Sequence, residues 1–292
     1  MKQTDKRAAP RESAGLRFLY RTLPGRVLLR LLTARWVSKF AGFLLDSPPS
    51  RLLIRGFFRK NGINRDDFLP ERYRSFNACF CRKIRPELRP IDPDPDRLIA
   101  PCDGLLSVFR ITDGTVLPVK QSRYRIDALV GDPTLAERYR DGYAFVFRLC
   151  VSHYHRYIYP ADGLKSENRF LPGRLHTVRP IALEREPVFT ENCRSVCTLR
   201  TDRLGLLTQI EVGAMLVGRI RNLHGAKHVL RGEEKGYFEY GGSTVILLVE
   251  HSAIAEPTAL LSATASGIES PVKLGEAVGE SGRPWDSVPN PA

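Results

Sequence analysis

Three short stretches of the sequence hold residue types that could act together on a carbonyl group. The first, Ala100-Pro-Cys-Asp-Gly104, sets Asp103 in a turn between extended segments. The second, Ser152-His-Tyr-His-Arg-Tyr157, crowds His153, Tyr154, His155 and Arg156 at the end of an apolar run. The third, Lys235-Gly-Tyr-Phe-Glu-Tyr-Gly-Gly-Ser-Thr-Val245, places Gly241 and Gly242 before Ser243, at the head of a strongly apolar strand. A carboxylate, an imidazole and a hydroxyl are the parts of an activated serine. The imidazole takes the hydroxyl proton and the carboxylate orients the imidazole. Each stretch alone also has an ordinary structural reading: an Asp-Gly turn, a histidine in the core, a glycine turn entering a strand. An α/β-hydrolase elbow of the form G-x-S-x-G is excluded here, because Val245 stands where its second glycine would be.

Two kinds of element must position these residues. From Leu98 onward, short apolar runs bounded by Gly, Pro and Asp recur: Leu105–Ile111, Tyr143–Val151, Leu206–Val212, Ala214–Ile220 and Ser243–Glu250. They read as strands of a β-rich core, with a short helix expected over Thr134–Tyr139 after Pro133. Upstream the texture is helical. Leu19, Leu23, Val27 and Leu31 recur at spacing four, with Trp36, Phe40 and Phe43 continuing the pattern and arginines interleaved. Pro24 predicts a break near Leu23–Gly25, Ser47-Pro-Pro-Ser50 ends the segment, and Ser50 is placed to cap a second basic helix over Arg51–Lys60. The fold class expected is α+β, with N-terminal basic amphipathic helices packed on a mostly antiparallel β-rich core. The expected divisions are a disordered tail over 1–15, a helical region over 16–66, a catalytic domain over 67–252 and a disordered tail over 253–292.

Charge is concentrated at one end. Residues 1–60 carry 14 Lys and Arg against 3 Asp and Glu, which is +11 of the formal +13. A basic charge confined to one segment does not make a nucleic-acid footprint. A basic face opposite an apolar one, with no acidic residue between 16 and 45, fits an anionic membrane surface. No apolar run approaches the roughly 20 residues that cross a bilayer, and no secretory leader is evident. The six cysteines, at 79, 81, 102, 150, 193 and 197, show no metal-site spacing and read as reduced thiols of a cytosolic protein.

Taken together, the motifs resemble the phosphatidylserine decarboxylase proenzymes of bacteria. The resemblance rests first on the Gly-Ser-Thr segment, Gly242 to Thr244, with its preceding Lys-Gly-Tyr-Phe-Glu-Tyr. Arg85-Pro-Glu-Leu-Arg-Pro-Ile91 followed by Ala100-Pro-Cys-Asp-Gly104 looks like the family's approach to its catalytic aspartate, and Tyr154-His-Arg156 looks like its histidine motif. Pro172-Gly-Arg-Leu-His-Thr-Val-Arg-Pro180 and Glu211-Val-Gly-Ala-Met-Leu-Val-Gly218 also match, so the likeness runs in order from about Leu16 to Glu250.

The resemblance implies a proenzyme that cuts itself between Gly242 and Ser243 and converts Ser243 to a pyruvoyl group, so that no diffusible cofactor is needed. It implies Ser243 as nucleophile, His155 as its base and Asp103 as the partner of His155, with His153, Tyr154 and Arg156 in support and no metal. The pyruvoyl carbonyl would form a Schiff base with the substrate amine and accept the electrons left by carbon dioxide, giving phosphatidylethanolamine. The implied partners are phosphatidylserine in the membrane, an anionic lipid surface, and the cleaved large and small chains held as a heterodimer, with further dimerisation open. The implied place is the cytoplasmic face of the membrane, peripherally bound.

The chain departs from the family pattern at four places. Ile158 stands where many relatives have a second histidine, and His153 where an aspartate is frequent. Cys102 replaces a commoner alanine, and Gly241 replaces a leucine. If the segment is a strand, His153 and His155 share a face and residue 158 lies on the other. His155 is the preferred base, with His153 as the alternative. Two other readings use the same residues: a serine hydrolase that forms no pyruvoyl, and a lipid-binding relative in which Ile158 has disabled processing.

Overall fold

The computed structural model describes residues 14–282 except 113–115, 120–121, 179, 184–186, 215–218 and 242. The expected N-terminal tail falls outside it up to residue 13, as does the middle of the run expected as a strand over Ala214–Ile220.

The basic segment forms α1 (Ala14–Arg21), α2 (Leu23–Leu32), α3 (Arg35–Asp46) and α4 (Leu53–Asn61). The break before Pro24 falls where the sequence places it. Thr22 caps α2 by accepting the Gly25 N–H at 3.0 Å, and Pro24 sits in the first turn, where its missing N–H costs nothing. Ser50 does not cap α4. It lies in a 3₁₀ turn over Pro48–Leu52, and its Oγ accepts the N–H of Phe76, which opens the short helix α5 (Phe76–Phe80). Gly62 ends α4 in the left-handed region at φ +63°, which a glycine adopts without strain.

The rest is mostly strand. In chain order these are β1 (Arg97–Ile99), β2 (Gly104–Arg110), β3 (Val116–Val119), β4 (Ser122–Arg125), β5 (Tyr143–Leu149), β6 (Arg156–Ile158), β7 (Gly163–Lys165) and β8 (Arg169–Leu171). There follow β9 (Arg194–Thr201), β10 (Leu206–Val212), β11 (Ile220–Asn222), β12 (Lys227–Val229), β13 (Glu234–Phe238), β14 (Ser243–Val249), β15 (Ser270–Val272) and β16 (Ala277–Glu280). One antiparallel sheet runs β12-β7-β9-β10-β14-β5-β2-β15, with β8 also paired to β9. A smaller sheet has the order β11-β13-β6. The architecture is α+β with a mostly antiparallel core, as the patterning predicts.

β14 lies between β10 and β5 and is buried along its whole length, which is why it reads as a continuous apolar run rather than an alternating one. Its two faces meet different cores. Ile246 and Leu248 join Tyr20 of α1 and Leu29 of α2 on one side. Val245, Leu247 and Val249 join Tyr157 of β6 and Phe238 of β13 on the other. A third cluster, around Phe57, Phe58, Phe76, Phe80, Tyr154 and Ile158, ties α4 and α5 to the edge of that second side.

The expectation of a disordered tail from residue 253 is corrected. A helix over Thr258–Ala265 packs on β2, where Thr264 Oγ1 accepts the Val108 N–H at 2.9 Å. Beyond it β15 pairs with β2, and β16 pairs with β1. The segment has no long apolar run, but it is ordered for two reasons. Its Ile254, Leu260, Leu261, Val272 and Val278 pack on the second core and Leu274 on the third, and its strands pair backbone groups that β1 and β2 would otherwise leave open. Residues from 283 on lie outside the described chain.

Candidate active site

Ser243 opens β14 and is wholly buried. Its register partner across the sheet is Leu149, the last residue of β5. The chain then turns tightly, with the His153 N–H donating to the Cys150 carbonyl at 2.9 Å, and returns as β6 from Arg156. That turn delivers His155 to Ser243. The His155 Nδ1 lies 3.2 Å from Ser243 Oγ, and its Nε2 lies 3.0 Å from the Cys150 carbonyl oxygen. A carbonyl only accepts, so the hydrogen-bond pattern assigns the proton to Nε2 and leaves the Nδ1 lone pair to the serine.

The imidazole has no access to water. The Phe80 ring lies against it at 4.3 Å between centres, and Phe238 meets it edge-on at 6.5 Å. Burial pushes the His155 pKa down to about 3, opposed by the Cys150 hydrogen bond and reinforced by the charges of His153 and Arg82. His155 is therefore held in its neutral, basic form near neutral pH.

The strand expected through 153–155 is a turn instead, and this separates the two histidines. His153 accepts the Cys150 N–H on Nδ1 at 3.1 Å, closing its own turn. It is half-buried, and burial lowers its pKa against the raising effect of Asp103.

Asp103 is not the partner of His155 here, which corrects the expected chain of contacts. Arg89 grips its carboxylate with Nε on Oδ1 at 2.7 Å and Nη2 on Oδ2 at 2.5 Å, and the Leu274 N–H adds a third bond at 2.9 Å. The guanidinium fork offers a carboxylate two parallel bonds that an imidazole cannot match. Arg156 also faces away from the serine. It donates to the Cys81 carbonyl, pairs with Glu234 and lies over the Tyr237 ring, clasping β13. Tyr154 is buried in the third cluster, and burial pushes its phenol up to about 12. Ile158 packs in the same cluster and donates its N–H to the Pro101 carbonyl, beside Asp103 in the chain.

Gly242 lies outside the described residues. Gly241 has φ +133°, a conformation open to glycine and strained for any side chain. Tyr240, just before it, rests its ring on Phe76 and Phe80 at 5.0 and 5.2 Å. Its N–H points to Asn77 Oδ1 at 3.3 Å. Sequence reasoning passed over Phe80, Asn77 and Arg89. The aromatic pair Phe76 and Phe80, one helical turn apart, was the available signal for α5, and Arg89 sat unremarked inside a motif already singled out.

The arrangement can deprotonate a serine hydroxyl in a dry pocket just after a glycine turn. Comparison with known proteins adds a second line. A family model described as phosphatidylserine decarboxylase matches residues 76–280. Phosphatidylserine decarboxylase proenzyme 2 of Clostridium acetobutylicum is 38% identical over 266 residues, 91% of each chain. The proenzyme of Ruminiclostridium cellulolyticum is 35% identical over 270 residues, 90% of each chain. That of Chlamydia trachomatis serovar L2 is 32% identical over 274 residues, 92% of this chain and 91% of its own.

Proposed function

Because the chain belongs to the phosphatidylserine decarboxylase family, we propose that it cuts itself at Gly242–Ser243 and then converts phosphatidylserine to phosphatidylethanolamine and carbon dioxide. The observation that carries this reading is the 3.2 Å contact of Ser243 Oγ with a buried, neutral His155. Ser243 Oγ would attack the Gly242 carbonyl carbon as His155 Nδ1 takes the hydroxyl proton. The bond from that carbon to the Ser243 nitrogen breaks, and His155 hands the proton to the departing nitrogen. No charge outlasts the exchange, which suits an imidazole held in an apolar pocket.

The ester formed then loses the α-hydrogen of residue 243 and the Gly242 carboxylate. Water releases ammonia from the dehydroalanine that remains, leaving a pyruvoyl group on the new chain of 50 residues beside one of 242. Residue 243 fits such a group: it is a serine, wholly buried, with a base at hydrogen-bond distance and, two residues ahead, Gly241 in a backbone conformation open to glycine. Once formed, the pyruvoyl carbonyl supplies an electron sink for the substrate amine. The chain's own part is to keep water out with Phe80, Phe238 and Tyr240 and to keep the imidazole beside residue 243. Asp103 acts in this reading through the turn it anchors with Arg89 and Leu274, one residue from Cys102 and two from the carbonyl that holds Ile158.

The N-terminal helices would bring the enzyme to its lipid. Among the described residues, no helix is long and apolar enough to cross a membrane. Leu23, Val27, Trp36, Phe40 and Phe43 are all more than half exposed, at 60–77%. Exposed apolar residues beside a strongly basic sequence support docking on an anionic leaflet from the cytoplasmic side, with both cleaved chains held together by the sheet. The test uses phosphatidylserine carrying a label on its carboxyl carbon, in mixed vesicles. The purified enzyme is expected to release labelled carbon dioxide in step with phosphatidylethanolamine, and Ser243→Ala to release none. Fully cleaved protein that leaves the labelled lipid unchanged would overturn the reading.

A further inference from the structure

The short helix α5 is held between the amphipathic helices and the site. On one side, Ser50, in the turn after α3, accepts the Phe76 N–H at 2.8 Å. On the other, Phe80 lies on His155, and both Phe76 and Phe80 lie on Tyr240. Asn77 stands between them, only 4% exposed. Its Nδ2 donates to Asp46 Oδ1 at 3.0 Å, and its Oδ1 accepts the Tyr240 N–H at 3.3 Å. A carboxylate can only accept and a backbone N–H can only donate, so the two partners demand the same orientation of the amide. Asp46 is the last residue of α3, and Tyr240 stands three residues before Ser243.

We propose that Asn77 is a positioning residue for self-cleavage: it fixes the backbone ahead of the scissile bond, and Asp46 fixes Asn77, so that the end of α3 bears on the rate of processing. This rests on the self-cleavage reading above. Gly241, at φ +133°, has no side chain with which to hold the approach to Ser243. An attack by Oγ needs the carbonyl carbon within about 3–3.5 Å and correctly aimed. The nearest tether the chain supplies upstream of Gly241 is the Asn77–Tyr240 bond, backed by the ring contacts of Phe76 and Phe80.

The hydrogen-bond polarity makes the proposal testable by rescue. Asn77→Asp keeps an acceptor for Tyr240 but sets a carboxylate against Asp46. Adding Asp46→Asn restores a donor on the opposite side, and the Asp46→Asn side chain can still accept from Arg219, which Asp46 meets at 3.5 Å. The full chain is synthesised in a cell-free reaction, quenched at intervals in denaturant and weighed intact. Asn77→Asp is expected to cleave about tenfold more slowly or worse, a loss equivalent to ~1.4 kcal/mol of barrier. The double variant is expected within about threefold of wild type, as is Asp46→Asn alone. Slow cleavage by Asn77→Asp should also quicken as the pH falls, because two facing carboxylates then share a proton. Melting curves in the uncut Ser243→Ala background show which variants fold. If Asn77→Asp does not fold, the double variant decides: fast cleavage supports the link, and a folded but slow double variant overturns it. Asn77→Asp cleaving at the wild-type rate also overturns it. A wild-type chain that never cleaves would instead sink the reading on which the proposal rests.

Discussion

Ser243 and His155 meet where neither is exposed to solvent, and that decides how the pair responds to pH. A solvated histidine titrates near 6.5, whereas burial brings His155 to about 3. Its basic form is the neutral one, so the base is fully present above both values and is lost only as pH falls toward the lower. Self-cleavage followed by intact mass should therefore be nearly flat between pH 5 and 8, and a decline centred near 6.5 would point to a solvated base in place of His155. His155→Ala is expected to slow cleavage by about 10²–10⁴, the usual worth of a positioned general base, while His153→Ala costs far less. The reverse ranking would transfer the role to His153. Ser243 and His155 were legible because their types and neighbours narrow what they can do. The partner of Asp103 was not, since nothing in a linear spacing says that Arg89 will reach the carboxylate before an imidazole does.

Elements fix what residues cannot fix alone. β13 leads into the glycine turn, and its Lys235 is wholly buried, with Nζ 2.8 Å from the equally buried Glu211 of β10 and 2.9 Å from Asn222 Oδ1 of β11. Glu211 stands in register with Val245, two residues beyond Ser243. Removing one member of such a pair leaves the other charge stranded, so Lys235→Met should cost about 3–5 kcal/mol of stability, read from denaturant unfolding of the Ser243→Ala chain. A cost below about 1 kcal/mol would mean that the pair contributes little to holding β13. The long strands β2, β5, β10 and β14 were readable because each buries an apolar run. The segment 258–280 was not, because its order comes from backbone bonds to β1 and β2, one threonine hydroxyl and scattered apolar contacts such as those of Leu260, Val278 and Leu274, which follow no regular period. The turn at 150–153 was missed for a related reason: its closing bonds use a backbone carbonyl and a histidine ring, and neither has a periodic signature.

At the scale of the whole molecule, the basic segment is both part of the fold and a surface. Tyr20 and Leu29 are buried against the sheet while Trp36, Phe40 and Phe43 point outward, so amphipathic periodicity predicted the helices but not which apolar residues would stay uncovered. Truncating the segment would open the core, which makes substitution the better probe of membrane binding. Sedimentation with anionic vesicles should show binding that weakens with salt, since each nearby Lys or Arg contributes about 1 kcal/mol and is screened beyond ~10 Å at 0.1 M salt. Trp36→Ser, Phe40→Ser and Phe43→Ser together should remove the salt-resistant remainder. Equal binding to neutral and anionic vesicles, unmoved by salt, would exclude the basic face as the anchor. Decarboxylation presupposes that the chain processes itself, and intact mass under denaturing conditions tests that most directly. The account predicts a chain of 242 residues and one of 50, the smaller lighter by one ammonia than a serine-initiated peptide, with Ser243→Ala remaining a single chain of 292. A wild-type chain that stays whole, or a small chain that begins with an intact serine, would contradict it.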